Sequence, residues 1–259
     1  MKNDNRAAIV TGAGQGIGRT IAVELASEGT DVLIADINPE EMDETKRLVE
    51  ERGQTAVCQY TDLREEEDVD AAVDRAREAF GRIDILVNNS GISGPTLPAE
   101  DILTEDWDNT LGVNLRGTFL ITREVLPIMK EQEYGRIVNV ASATAKRPVE
   151  HRTPYAASKS GLIGFTRSLA AEVGRDNINV NVICPGSVEG DRIERVFRNH
   201  AEAAGVPYEE VKGAELDKSA RKELVRPESV ATVVSFLCSE DASQITGQDI
   251  NVSAGKIMY

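Results

Sequence analysis

Short apolar runs and longer amphipathic stretches alternate along the first two-thirds of the chain, and this rhythm restricts the fold more than any other feature. The runs lie at 7–10, 32–35, 56–57, 83–87, 137–140 and 178–183. Between them, the window 65–80 places Val69, Ala72, Val73, Ala76 and Phe80 on one helical stripe. The window 39–52 opens with Pro39 behind Asn38, a first-turn proline and its cap. The window 17–28 is a third amphipathic stretch. Strands so nearly continuous in apolar residues are buried on both faces, which implies a parallel sheet with helices on either side. The chain has 259 residues, a length that one α/β domain fills. The expectation is a single domain over 1–259 with a sizeable core.

One segment breaks the rhythm. Residues 187–226 are charged and helical in pattern, and they follow Cys184-Pro185-Gly186, a strong stop after a strand. They read as an inserted lid. The pattern then resumes with a helix over Pro227–Leu237 and a last strand over Asp249–Val252. No apolar run reaches the roughly 20 residues of a membrane helix. No leader pattern opens the chain, so the expected setting is cytoplasmic. Cys58, Cys184 and Cys238 form no CxxC pair, and the two histidines are His151 and His200. Neither a disulfide framework nor a metal site is expected. The net charge of −15 argues against nucleic acid as a partner, because that binding depends on cations meeting phosphates. The cations are 20 Arg and 9 Lys, a balance that also suits a salt-adapted surface.

The first strand runs into Thr11-Gly12-Ala13-Gly14-Gln15-Gly16-Ile17-Gly18, and a helix follows. Glycines there permit a tight turn and close backbone approach to a pyrophosphate, while the helix N-terminus offers free N–H groups and a positive dipole end. The spacing is TGxxxGxG. Asp36 ends the second strand, where a carboxylate accepts hydrogen bonds from the ribose hydroxyls of an adenosine and repels a 2′-phosphate. Ile37-Asn38-Pro39 follow, without a cation. The expected cofactor is NAD.

Tyr155 and Lys159 stand four apart, one helical turn on one face. An ammonium beside a phenol favours the phenolate and brings it toward neutral pH. Tyr155 can then take a proton from a hydroxyl as hydride leaves its carbon, or return one in reduction. Ser142 follows the strand near 137–141, at the carboxyl edge where parallel sheets place ligands. Asn88-Asn89-Ser90-Gly91 follows the fourth strand at that edge, and Asn114 lies in a helical stretch beginning near Trp107.

Taken together, these motifs resemble the short-chain dehydrogenase/reductase family, in its single-domain branch. The likeness runs through the TGxxxGxG turn, Asp36, Asp62-Leu63, Asn88-Asn89-Ser90-Gly91, Asn114, Ser142, Tyr155-xxx-Lys159 and Pro185-Gly186. It implies a Rossmann-type doubly wound parallel sheet of about seven strands, with helices on both faces and a helical substrate lid. It also implies roles. Tyr155 would be the acid/base, Ser142 the partner of the substrate oxygen, Lys159 the holder of the nicotinamide ribose, and Asn114 the holder of a relay water. Gly12, Gln15, Gly16, Ile17 and Gly18 would take the pyrophosphate, and Asp36 and Ile37 the adenosine ribose. Asp62 and Leu63 would contact the adenine. Asn89, Ser90 and Gly91 would line the ribose side, and Pro185, Gly186 and Val188 would bracket the nicotinamide. Family members assemble as homotetramers or homodimers through the helices near 107–131 and 154–174.

Three positions depart from the family pattern. NNAG reads NNSG with Ser90, a frequent Thr after Pro-Gly is Gly190, and VDGG reads Val252-Ser253-Ala254-Gly255. The segments that shape the substrate pocket are rich in cations: 143–152 holds Lys146, Arg147, His151 and Arg152, and Arg192, Arg195 and Arg198 recur every third residue in the lid. Arginine pairs carboxylates in bidentate fashion. The expected substrate is therefore a small polar secondary alcohol such as a hydroxy acid, sugar acid or polyol, with Ser142, Thr144, His151, Arg152 and Arg192 as its contacts. The alternative activity is that of a 3-oxoacyl-[acyl-carrier-protein] reductase. A cofactor-sensing or scaffold role on the same fold is the third reading, and the intact Asn114, Ser142, Tyr155 and Lys159 set argues against it.

Overall fold

Consecutive residues of a strand face opposite sides of its sheet, and both sides are apolar here. Ala8, Val10, Ile34, Val87, Val138 and Ile183 belong to one buried cluster, and Ile9, Leu33, Leu86, Ile137 and Val180 to another. The computed structural model describes residues 6–147 and 149–259, without the side chains of residues 192, 199 and 203. Among the described residues one sheet of seven strands forms in the order β3-β2-β1-β4-β5-β6-β7, every neighbouring pair parallel. The strands are β1 (Arg6–Thr11), β2 (Thr30–Asp36), β3 (Ala56–Tyr60), β4 (Ile85–Asn88), β5 (Gly135–Val140), β6 (Ile178–Pro185) and β7 (Asp249–Val252).

The first cluster is covered by α1 (Gly16–Ser27), α2 (Pro39–Glu50) and α9 (Pro227–Leu237), through Ile21, Leu25, Met42, Val230 and Val234. The second is covered by α3 (Glu66–Phe80), α5 (Gly117–Gln132) and α6 (Thr153–Val173), through Val69, Val73, Ile121, Val125 and Leu169. Each fully buried aliphatic side chain stabilises by about 1.5–3 kcal/mol, so both faces are needed to offset the ordering of the backbone. Local signals set the helix ends. Asn38 accepts a hydrogen bond from the Glu41 N–H ahead of Pro39, and Gly81 ends α3 with a left-handed φ of 72°.

The expected alternation is therefore present, with shifted boundaries. The run at 83–87 gives a strand from Ile85, although the Asp84 backbone already bonds Ala7 O and Arg136 N–H and its carboxylate accepts from Arg82 and the Ala7 N–H. The helix expected near Trp107 is α4 (Thr104–Leu111), and it continues into α5 through a π turn over Gly112–Arg116. The inserted segment folds as two helices, α7 (Asp191–Ala204) and α8 (Tyr208–Leu216). Phe197 and Tyr208 pack edge to face between them at 6.2 Å. Its base is closed by a parallel bridge between Val188 and Val225, with Glu189 N–H donating to Val225 O and Val225 N–H to Ser187 O, both at 2.9 Å. Gly190 starts α7 at φ 134°, a backbone region that a threonine rarely adopts, which accounts for that departure from the family pattern.

Candidate active site

The strand order reverses between β1 and β4, and ligands of such sheets lie outside the strand carboxyl ends at that point. The β1–α1 turn sits there, held by its neighbours. Asn89 donates its side-chain N–H groups to Thr11 O (3.0 Å) and Gly12 O (2.9 Å), while the Thr11 hydroxyl accepts from the N–H groups of Asn89 and Ser90. A Cβ at Gly18 would lie 2.1 Å from Gly12 O and 2.5 Å from the Asn89 amide, so the turn and α1 touch backbone to backbone. Asn89 and Ser90, expected along the cofactor, thus brace the turn itself. Thr11 was not singled out from the sequence, although its place directly before the glycines was the available signal.

The residues fit a dinucleotide. Helix α1 has no side-chain cap and no acidic residue in its first turn, whereas α2 begins with Glu40 and Glu41, and α3 with Glu66, Glu67 and Asp68. In a chain of net charge −15, this leaves the α1 N–H groups and dipole end ready for an anion. Gly16 takes φ 56°, and a Cβ there would meet nothing within 4 Å. Asp36 ends β2 with Oδ2 accepting from Gly14 N–H (2.9 Å) and Oδ1 from Asn38 N–H (3.1 Å). Gln15 stands at the helix N-cap, and Ile17 is partly buried against the core. Ile37 is exposed, and Asp62 pairs with Arg64, whose hydrogen bonds hold its carboxyl below the usual range. Leu63, expected at the adenine, is buried in the core, with its side chain and carbonyl against Gly117.

The four expected catalytic residues occupy the neighbouring carboxyl ends. Lys159 is buried at 3% exposure, and its Nζ donates to Val140 O at 2.8 Å and lies 5.9 Å from the Tyr155 ring centroid. The Arg152 guanidinium lies 4.7 Å from that centroid and donates to Ser93 O at 3.2 Å. Ser142 directly follows Ala141, and its Oγ accepts from Thr144 N–H at 3.1 Å. Asn114 is fully buried on the π turn. Its Oδ1 accepts from Ile92 N–H (2.8 Å), and its Nδ2 donates to Ile92 O and to Ser158 Oγ, both at 3.0 Å. Ser158 donates in turn to Tyr155 O at 2.9 Å. It lies inside the Tyr-Lys motif and was missed. Gly91 stands between two of these groups: a Cβ there would be 3.1 Å from Lys159 Nζ and 3.2 Å from Asn114 Oδ1.

The residues expected to contact substrate are less concentrated. His151 is exposed at φ 60°, and its carbonyl accepts from Leu97 N–H. Arg147, Arg195 and Arg198 are exposed, and the side chain of Arg192 lies outside the described residues. Pro185 ends β6, Gly186 N–H donates to Val252 O at 2.9 Å, and Val188 lies in the bridge at the lid base. Glu215 of α8 reaches the same place. It pairs with Lys256 at 2.5 Å and Lys218 at 2.8 Å and accepts from the Ser187 hydroxyl. Burial alone would raise its carboxyl, but these hydrogen bonds outweigh burial and bring it down to about 2. Among the described residues no cluster of three or more His, Cys, Asp or Glu side chains is arranged to hold a metal ion.

The profile of the short chain dehydrogenase family matches residues 6–201, which covers the turn, Asp36, Asn114, Ser142, Tyr155 and Lys159 together. The chain belongs to that family. Levodione reductase of Leifsonia aquatica is 35% identical to this dehydrogenase over 256 residues, covering 97% of this chain and 94% of its own. The crystal structure of an NAD+-bound xylitol dehydrogenase superposes with a TM-score of 0.93 at 31% identity, covering 98% of this chain and 100% of that one. An actinorhodin polyketide ketoreductase variant with NADPH superposes at 0.94 with 34% identity, covering 100% and 99%. The family's members bind nicotinamide cofactors, and both kinds occur among these neighbours. Among the described residues no helix is long and apolar enough to cross a membrane.

Proposed function

We propose that this single-domain short-chain dehydrogenase is an NAD-dependent oxidoreductase that interconverts a secondary alcohol and a ketone. The preferred substrate is small and polar: a hydroxy acid, sugar acid or polyol. The observation that carries the reaction is the buried Lys159 ammonium beside the Tyr155 ring. A buried cation at that range stabilises a phenolate, which makes Tyr155 a base for the substrate hydroxyl. Ser142 holds the substrate oxygen. Asn114, fixed by Ile92 and Ser158, faces the gap beside Gly91 and serves a proton relay toward Lys159. When bound along the β1–α1 turn, the dinucleotide supplies the carbon that accepts or donates hydride. The Asp36 carboxylate supports NAD, because it suits ribose hydroxyls and repels a 2′-phosphate. His151, Arg152 and Thr144 line the substrate side in this reading, with Arg192 of the lid.

The second reading is a 3-oxoacyl-[acyl-carrier-protein] reductase using NADPH, favoured by the likeness to the NADPH-bound ketoreductase. Initial rates on secondary alcohols, polyols, hydroxy acids and β-hydroxyacyl thioesters, each with NAD and NADP, separate the two. Turnover with NAD on a polar alcohol supports the first reading, and activity confined to NADP and the thioester replaces it with the second. Tyr155→Phe should lower kcat by about 10²–10⁴-fold while NADH binding persists; near-normal turnover removes Tyr155 as the base. The reading includes a homodimer or homotetramer. A shallow, largely apolar hollow lined by Leu111, Leu115, Arg116, Phe119, Gly161 and Phe165 supports it, and sedimentation tests it.

A further inference from the structure

A cation that the sequence did not disclose meets the same glycine as Asp36. Arg19 leaves the first turn of α1 and folds back along the glycine turn. Its Nε donates to Thr45 Oγ1 at 2.9 Å, and its Nη2 donates to Gly14 O and to Glu41 O at 3.1 Å, and pairs with the Glu41 carboxylate at 2.5 Å. Nη1 has no hydrogen-bond partner among the described residues. Gly14 is the common neighbour. Its N–H donates to Asp36 Oδ2, its carbonyl accepts from Arg19, and a Cβ on it would lie 3.0 Å from Asp36 Oδ2 and 3.1 Å from the Glu41 Cβ. A carboxylate and a guanidinium therefore bracket one glycine, and a second carboxylate neutralises the guanidinium. Thr45, fully buried, fixes the arrangement by donating to Ala13 O at 2.8 Å.

We propose that the Arg19–Glu41 pair is a second determinant of cofactor choice: Glu41 holds and neutralises a guanidinium that would otherwise receive the 2′-phosphate of NADP. The inference rests on the reading that Asp36 meets the adenosine ribose. The chemistry is general. A guanidinium offers planar, charge-assisted donors that match phosphate oxygens, and an unpaired one beside the ribose would offset the repulsion from Asp36. With Glu41 in place, the three side chains carry a net charge of −1 and exclude the phosphate. With Glu41 neutral they balance, and with Asp36 neutral as well they are positive.

The test is the ratio of NADPH to NADH dissociation constants, read by fluorescence titration without substrate, for the wild type, Glu41→Gln, Glu41→Ala, Asp36→Asn/Glu41→Gln, and each combined with Arg19→Met. Glu41 lies in the exposed first turn of α2, so both single variants should fold, and melting curves verify this. Each Glu41 variant should shift the ratio toward NADPH by about five- to tenfold, the double variant by a further tenfold, with Arg19→Met cancelling the gain. An unchanged ratio, or a gain that survives Arg19→Met, overturns the proposal and leaves the pair as a staple between α1 and α2. A wild type that already prefers NADPH overturns the NAD reading instead. The dependence of the Glu41 effect on Arg19 still decides the role of the pair.

Discussion

The β1–α1 turn and the base of the α7–α8 lid both leave the carboxyl edge of the same sheet, and they are held by opposite means. The turn is held by shape. Gly18 touches the Gly12 carbonyl, and the uncharged Thr11, Asn89 and Thr45 bind its backbone, with charged groups (Asp36 and Arg19) meeting it at Gly14. The lid base is held by charge. Glu215 ties α8 to Ser187 and to Lys256, and the Val188–Val225 bridge adds backbone pairing. Close packing admits no graded response, because a methyl group either fits or does not. Ion pairs respond to protons and salt. Most of the turn's contacts are thus insensitive to protons and salt, and the contacts of Glu215 are not.

Substitutions can break this contrast, beginning with the largest effect. Gly18→Ala places a methyl group 2.1 Å from a backbone oxygen and should cost about 3–5 kcal/mol in denaturant unfolding, or leave no folded protein. A stable variant that still binds NADH would show that the turn can give. Gly91→Ala fills the gap between Lys159 and Asn114 and should lower kcat by about 10²-fold with little change in melting temperature. Glu215→Gln should raise KM severalfold and cost on the order of 2 kcal/mol.

Glu215 also carries a pH signature. Its carboxyl stands at about 2 in the folded chain against 4.5 ordinarily. The ionised form therefore favours the fold, fully above about pH 4.5, and that contribution is lost as pH falls toward 2. Wild type should lose stability across this window relative to Glu215→Gln, and parallel melting curves would contradict the assignment. The smallest effect concerns Ala254, which takes φ 50° where the family pattern has glycine. Ala254→Gly should stabilise by about 0.5–1 kcal/mol, since it removes a left-handed strain.

What could be read from the sequence follows the same division. The sheet, its flanking helices and the glycine turn were legible because backbone sterics and burial act on residue type directly, as with Gly18 or the β-branched strands. The set of Asn114, Ser142, Tyr155 and Lys159 was legible as a spacing. Its supports were not. Ser158, the Val140 carbonyl and the Ile92 backbone hold the site through contacts that only the packed chain creates. Arg19 was hidden for another reason: it reaches Gly14 from α1, far from Asp36 in the chain, and only the fold brings both to one glycine. The lid was visible as a charged interruption, but its partners Lys256 and Ser187 are far apart in the chain.

The π turn at Gly112–Arg116 bears on how this chain can change over generations. Such a turn carries one residue more than an α-helix needs. Its removal would restore a regular helix from Thr104 onward, and the segment before it would swing by about 100° and slide about 1.5 Å relative to α5. Asn114 would lose its aim at Ile92 and Ser158, although every neighbouring side chain was retained. A single-codon deletion there would therefore disturb the proposed relay without changing any of its side chains.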